Sequence, residues 1–413
     1  MSTHSTSVAW LARLNFCLAD VRDGLGPFLG VFLMGQGWAA DDIGYVMTLG
    51  GIAGMLATTP AGALTDAVRA KRLVVGLGSV LVVAGSLLLL VAPGFTVTAI
   101  SQVGTGIVGA VIGPAIAGLT LGIVGQQGLP AQLGRNEAWN HAGNVVSAAL
   151  AGACGYYWGL PAVFVLMALM ALASLLCLSR IRPEDIDHDV ARGLDPLRAA
   201  DADAAQVSTW RLLAGSRPLM LLALAMMLFH LANAAMLPLL SQSVVARGGA
   251  DPALYTALTV IVAQLVMIPA ALLAGRFAQQ RGYWLPITIA LLVLPVRGLV
   301  AGAWDSAWAL LPVQILDGVG AGLLGVALPG SVARILQGSG HINIGLGAVT
   351  TLQSVGAALS PALAGMVAQR HGYGAAFAVL TVIALLALLA WWTLAERRAH
   401  DLHATASPEA ASR

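Results

Sequence analysis

Asp20, Arg22 and Asp23 put three charges into a stretch, Val8 to Met34, that is otherwise apolar and long enough to cross a bilayer with some tilt. An unpaired ion at the bilayer centre costs from about 2.5 to above 10 kcal/mol, so these side chains must face protein, water or one another. A carboxylate sheltered among helices can load and release a proton as water reaches it from alternate sides, which makes Asp20 and Asp23 candidates for proton coupling in a central cavity, with Arg22 beside them. The competing reading is a structural pair with Arg22 or another base. Arg22 and Asp23, adjacent on a helix, diverge and would pair poorly. On one continuous helix Asp20, Asp23 and Pro27 share a face, and Asn15, Arg22 and Gly26 share another. Such a helix needs partners all round it and a wet or polar space on at least one side.

Other polar residues fall inside apolar stretches at helical spacing. Asn140, Asn144 and Ser147 lie within one narrow arc with His141 beside them, either lining a cavity or acting as inter-helix glue. Arg135 and Glu137 read as a charge pair at a helix start. His230 and Asn233, at i and i+3, mirror the site around Asp20; for the lone His230 a hydrogen-bonded core role is favoured over a proton relay. Asp317 is a further cavity candidate and could meet Arg297, a static ion pair being the favoured reading of the two together. Gln264 and Gln353 are weaker cavity candidates.

Hydrophobic residues make up 58% of the 413 residues and charged ones 10%, and mean hydropathy is +0.83. That is too apolar for a soluble domain of this length and describes a multi-pass membrane protein. Twelve candidate helices follow, at roughly 8–34, 43–64, 73–91, 97–124, 138–158, 160–179, 218–240, 253–275, 284–303, 308–335, 346–368 and 374–395. With both termini cytoplasmic, only Arg247 and Arg370 of the 21 Lys and Arg fall in outer loops, and Arg22 and Arg297 fall within spans. Residues 1–179 form one six-helix half and 218–396 the other, joined by a cytoplasmic linker at 180–217 with a short interfacial helix near Thr209 to Leu213; residues 397–413 read as a disordered cytoplasmic tail. The N-terminus lacks the pattern of a cleavable signal. Cys17, Cys154 and Cys177 read as small core residues. The dispersed basic residues give no reason to expect nucleic acid as a partner.

A single displacement of 213 residues relates the halves. It carries Phe16–Asp20 to Phe229–Asn233, Gly62 to Gly275, and Ser147–Gly152 to Ser360–Gly365. Two parallel six-helix repeats are an architecture of secondary transporters, with the substrate site at their interface. Recurrent glycines, Gly104 to Gly122 in span 4 and Gly318 to Gly325 in span 10, read as close helix packing.

After span 2 the chain reads Gly62-Ala-Leu64-Thr-Asp66-Ala-Val-Arg69-Ala-Lys71-Arg72. This resembles the loop signature of the major facilitator superfamily, matched at Gly62, Leu64, Asp66, Lys71 and Arg72 and departing at Ala67 and Arg69. The second copy, Gly275 to Gly282, has Gln279 in the Asp position. The resemblance implies an all-α membrane fold of twelve helices in two pseudo-symmetric halves, with Gly62, Asp66, Lys71 and Arg72 as a conformational loop motif. Gln102 stands where proton-coupled drug exporters of the family usually carry Arg, and span 5 lacks a clear match to the Pro/Gly motif of antiporters, which argues against drug export.

The expected function is secondary active transport of a small solute by alternating access, coupled to protons and directed outward, in a bacterial inner membrane. A uniporter, an uptake permease, or a transporter-like sensor or scaffold is the alternative. No phosphate-binding loop, metal-ligand cluster or activated nucleophile is legible, so neither an enzyme nor a cofactor is expected, H+ being the coupling ion and a monomer the expected state.

Overall fold

The computed structural model describes residues 3–21, 25–188, 190–192, 215–336 and 342–395. Thirteen α-helices carry the described chain: α1 (Thr3–Val21), α2 (Pro27–Gly35), α3 (Ala40–Ala67), α4 (Lys71–Val91), α5 (Phe95–Trp158), α6 (Pro161–Arg180), α7 (Arg217–Asn233), α8 (Met236–Ala246), α9 (Pro252–Arg281), α10 (Trp284–Ala303), α11 (Leu310–Ile335), α12 (Ile342–His371) and α13 (Tyr373–Ala395). They make twelve passes, because α1 with α2 and α7 with α8 each form one interrupted pass, while α5 holds two passes that meet at Gly125. Among the described residues nine helical stretches are long and apolar enough to cross a membrane unaided. The first, second and fifth passes are outside that set, and these carry Asp20, Asp41, Asp42 and the polar run from Arg135 to Asn144.

Three expectations are corrected. The first pass is not one helix over 8–34: Gly26 adopts φ 48, a left-handed conformation open to glycine, and Pro27 restarts the helix at its first position, where a missing N–H costs nothing. Helical periodicity does not run through that break, so Gly26 and Pro27 do not continue the faces assigned from α1, while the sharing of a face by Asp20 with Asp23 and by Asn15 with Arg22 falls outside the described residues. Asp20 lies in the last turn of α1 with its side chain outside the described residues, and Arg22 and Asp23 lie outside them altogether. The seventh pass is interrupted by a turn at Ala234 and Ala235, which both keep right-handed helical φ/ψ, so it bends without the positive-φ glycine of the first pass.

Spans 4 and 5 are not separated by a loop. Both arms of α5 are helical up to Gly125, which alone turns the chain (φ 67, ψ 176). Arg135 and Glu137 therefore sit well inside the second arm, exposed, and not at a helix start.

The first part of the linker is folded onto the first half. Ser7 Oγ donates to Asp185 at 2.5 Å, the Asp187 N–H donates to the Gly122 carbonyl at 2.9 Å, and Ile181, Ile186 and Ala191 are buried. The proposed helix near Thr209 to Leu213 and the tail at 397–413 lie outside the described residues.

Within each half the helices approach backbone to backbone. A Cβ at Gly106 of α5 would fall on the Gly50 carbonyl of α3, and one at Gly318 of α11 would lie 2.5 Å from the Ala263 carbonyl of α9. Overpacking such a contact costs about 1–3 kcal/mol or more. Gly106→Leu is expected to lower the unfolding temperature of the purified protein clearly. Gly104→Ala, whose Cβ meets nothing within 4 Å, should leave that temperature close to the parent value.

Candidate functional site

The two halves meet along two helix pairs, α3 with α12 and the second arm of α5 with α9. At one end these contacts are as close as backbones allow. A Cβ at Gly44 would fall on the Pro361 carbonyl and one at Gly365 on the Ala40 carbonyl, and at Gly51 it would lie 3.0 Å from Ala358 Cα; in the other pair, Gly152 meets Ala257 and Gly155 meets Ala253. The displacement of 213 carries Ala40 to Ala253 and Gly152 to Gly365, so the two seams are copies of one contact. Further along the same helices Gly134 and Gly347, themselves 213 apart, have nothing within 4 Å of a Cβ position. The halves thus touch at one end of the bundle and part at the other.

Hydrogen bonds across the seam follow the same division. The Ala40 N–H donates to Gln369 Oε1 at 3.3 Å and the Ala362 N–H to Thr48 Oγ1 at 3.0 Å, both at the closed end. Further from that end along the same helix, His141 Nδ1 donates to Gln264 Oε1 at 2.7 Å, which ties two sequence-predicted cavity residues to each other across the halves. Asn140 and Asn144 are half-buried beside it, and buried Ser147 donates to the Asn144 carbonyl at 3.3 Å. One turn earlier the stripe turns inward: Gln132 Nε2 donates to Asn136 Oδ1 at 2.9 Å, and Asn136 Nδ2 donates to Thr120 Oγ1 at 3.0 Å. This network, which sequence reasoning missed, staples the two arms of α5 together; the i, i+4 spacing of Gln132 and Asn136 was its only signal.

In the second half the structure joins Arg297 of α10 to Asp317 of α11. Arg297 Nη1 donates to Asp317 Oδ1 at 2.7 Å and also to Asn233 Oδ1 at the end of α7. Arg297 is 1% exposed and Asp317 16%, so the carboxylate is the member of the pair that reaches the edge of the cluster. Arg297 Nε and Nη2 and both polar atoms of Gln314 are buried without a partner among the described residues. His230 donates from Nδ1 to the Met226 carbonyl at 2.9 Å and stands edge-on to Phe229, a satisfied core arrangement, whereas Gln353 Oε1 is buried and unpaired.

The loop motif works through helix ends. Lys71 is 2% exposed and donates from Nζ to the Thr65 carbonyl at 2.5 Å and the Val68 carbonyl at 3.3 Å, closing the C-terminus of α3. Arg72 donates from Nε and Nη2 to the Leu178 carbonyl at 3.2 and 2.9 Å and so caps α6. A cation at a helix C-terminus meets unsatisfied carbonyls and the negative end of the helix dipole. These two residues therefore brace α3, α4 and α6 against one another as well as meeting the membrane surface. Gly62 and Asp66 lie in the last turns of α3, with the Asp66 side chain outside the described residues.

Two repeated six-helix halves, meeting along seams rich in small residues and enclosing polar groups at mid-depth, define a membrane transporter. A family model described as Major Facilitator Superfamily matches residues 11–296, and the chain belongs to that superfamily. It is 42% identical over 375 residues to two uncharacterized MFS-type transporters of Mycobacterium tuberculosis, MT2531 of strain CDC 1551 / Oshkosh and Rv2456c of strain ATCC 25618 / H37Rv, covering 91% of this chain and 89% of each relative. Among solved structures it is similar to a bacterial homolog of the human lysosomal transporter Spinster in an inward-facing and unoccupied conformation, with TM-score 0.76, 13% identity and coverage of 96% of this chain and 98% of that one. It is also similar to the nucleoside transporter NupG, with TM-score 0.69, 13% identity and coverage of 95% and 99%.

Removing one member of a buried ion pair costs about 3–5 kcal/mol, while replacing both with apolar groups of similar size is often neutral. Asp317→Asn is expected to lower the yield and unfolding temperature of the purified protein, and Arg297→Met combined with Asp317→Leu to recover most of the loss. Thermal unfolding of the three proteins side by side checks this.

Proposed function

We propose that this protein is a secondary active transporter of a bacterial cytoplasmic membrane, which carries a small solute outward by rocking its two halves about the seam and couples that movement to protons. The observation that carries the reading is the seam itself: repeat-related contacts closed at Gly152 and Gly365, and repeat-related positions parted at Gly134 and Gly347. A bundle with two such seams can exchange its closed and open ends without unfolding either half. The distribution of Lys and Arg supports cytoplasmic termini, which makes the parted end the cytoplasmic one.

We assign the proton to Asp20, in the last turn of α1, and to Asp23. Asp317 is the second reading, favoured because its carboxylate is partly exposed while bonded to a fully buried base. In proteoliposomes under an imposed pH gradient, Asp20→Asn and Asp23→Asn are expected to abolish gradient-driven accumulation while leaving solute counterflow. If both variants still accumulate solute, these carboxylates are not the coupling site. Absence of counterflow in the parent protein, across a broad solute panel, would favour a transporter-like sensor or scaffold.

The seam yields a separate expectation. In a chain lacking Cys17, Cys154 and Cys177, Thr48→Cys and Ala362→Cys bridged by a short thiol-specific cross-linker should halt counterflow at least tenfold and recover it with a cleavable linker. Unchanged flux in the bridged protein would mean that this end of the bundle does not open.

A further inference from the structure

On the outer face of the first half, away from the seam, a groove of about 600 Å³ runs between α4 and α6, a size typical of small-ligand sites. Its length is apolar. Leu73, Leu77 and Val80 of α4 line one wall at 60%, 54% and 47% exposure, and Leu175 of α6 lines the other. The same wall continues into Leu81, Leu169 and Leu172, all exposed on the lipid-facing surface, so an occupant enters sideways from the bilayer.

Its mouth is cationic. Arg69, Arg72 and His188 border it. Arg69 is exposed, and among the described residues neither arginine is in a salt bridge. Arg72 uses Nε and Nη2 on carbonyls at the end of α6, and among the described residues the buried His188 Nδ1 has no hydrogen-bond partner. Among the described residues no carboxylate lines the groove; Asp185, further along the linker, accepts from Ser7, and Asp187 from the Val190 N–H. Helix α4 begins here behind Ala70, which supplies no side-chain cap, so its positive end adds to the same field.

We propose that this groove binds an anionic glycerophospholipid, with an acyl chain along Leu73, Leu77 and Val80 and the phosphate against Arg69, Arg72 and His188. The union of an apolar run open to lipid with a basic mouth selects a lipid over a soluble anion, which would leave the run empty. It also selects an anionic headgroup over a zwitterionic one, whose cation would sit beside two arginines. Bound there, the lipid links the start of α4, the end of α6 and the folded first part of the linker.

The test is native mass spectrometry of the full-length protein in detergent, titrated with phosphatidylglycerol and with phosphatidylcholine of matched chains. Phosphatidylglycerol should be retained about tenfold or more in preference, on the contribution expected of two basic residues near a headgroup. Arg69→Gln with Arg72→Gln should erase the preference. Because Arg72 also caps α6, Arg69→Gln alone is run beside it and should reduce the preference without changing thermal unfolding. Val80→Trp, which fills the groove, should weaken retention of both lipids. Equal retention of the two lipids by the parent, or an undiminished preference in the double variant, would overturn the proposal. So would displacement of phosphatidylglycerol by millimolar inorganic phosphate, which would assign the mouth to a soluble anion.

Discussion

Inside a bilayer no hydrophobic force drives one helix onto another, since the lipid tails are as apolar as the side chains they would replace. What remains is dispersion between closely approaching surfaces, a few hydrogen bonds, and the freedom of the displaced lipid. The contact between the two halves depends on this constraint. It is made where Gly44, Gly365 and Gly152 let the backbone of one half lie against the other, with backbone or a methyl group as the nearest neighbour at each of these positions. A surface of that kind parts without unthreading anything. The hydrogen bonds that cross it are few, and in membranes such bonds are worth about 0.6 kcal/mol each on average.

Contacts inside each half are of a different strength. Arg297 is sealed between α7, α10 and α11 with Asp317 and Asn233 as its partners, and breaking such a pair by removing one member costs about 3–5 kcal/mol. In the first half Lys71 and Arg72 brace three helices, and the Gln132–Asn136–Thr120 chain holds the two arms of α5. The difference in magnitude decides which contacts give way first. The weaker contacts thus lie between the halves and the stronger ones within them.

Much of the architecture was legible because lipid imposes length, apolarity and charge placement on the sequence, and the displacement of 213 read from a few short matches also maps one seam onto the other. The pairing of Arg297 with Asp317 could be read from the cost of leaving either alone. The breaks could not be placed. Gly26 and Pro27 were visible, but an apolar run of membrane length argued for continuity, and in the seventh pass Pro238, whose missing N–H leaves the Ala234 carbonyl without its helical donor, was read through for the same reason. The continuity of α5 was hidden for the opposite reason: Gln126, Gln127 and Gln132 with two glycines read as a loop, yet residues on both sides of Gly125 are helical because tertiary packing overrides weak propensity. Which polar residues meet across the seam is a property of helix rotation, and spacing within one helix does not reveal it. His141 and Gln264 were therefore found separately and paired only in three dimensions.

The two broken passes explain how a closed end can coexist with a parted one. The inner segments stay with their own halves: the Phe16 carbonyl of α1 sits over Gly143 and the Met227 carbonyl of α7 over Gly356, glycines that are again 213 apart. The outer segments reach across instead. A Cβ at Gly30 of α2 would lie 2.6 Å from Gln242 Nε2 of α8, so these two short helices pack on each other at the closed end. A straight helix fixed at its inner end to one half could reach the opposite half only by tilting the whole body. With an interruption between its two segments, each outer segment leans inward while its inner segment keeps its packing. In the seventh pass the N–H groups at the turn are met by protein, that of Ala234 donating to the His230 carbonyl at 3.0 Å and that of Ala235 to Ser360 Oγ at 3.0 Å. Polar backbone inside a membrane is tolerated only where protein or a water-filled space receives it, and in the seventh pass Ser360 of α12 receives it.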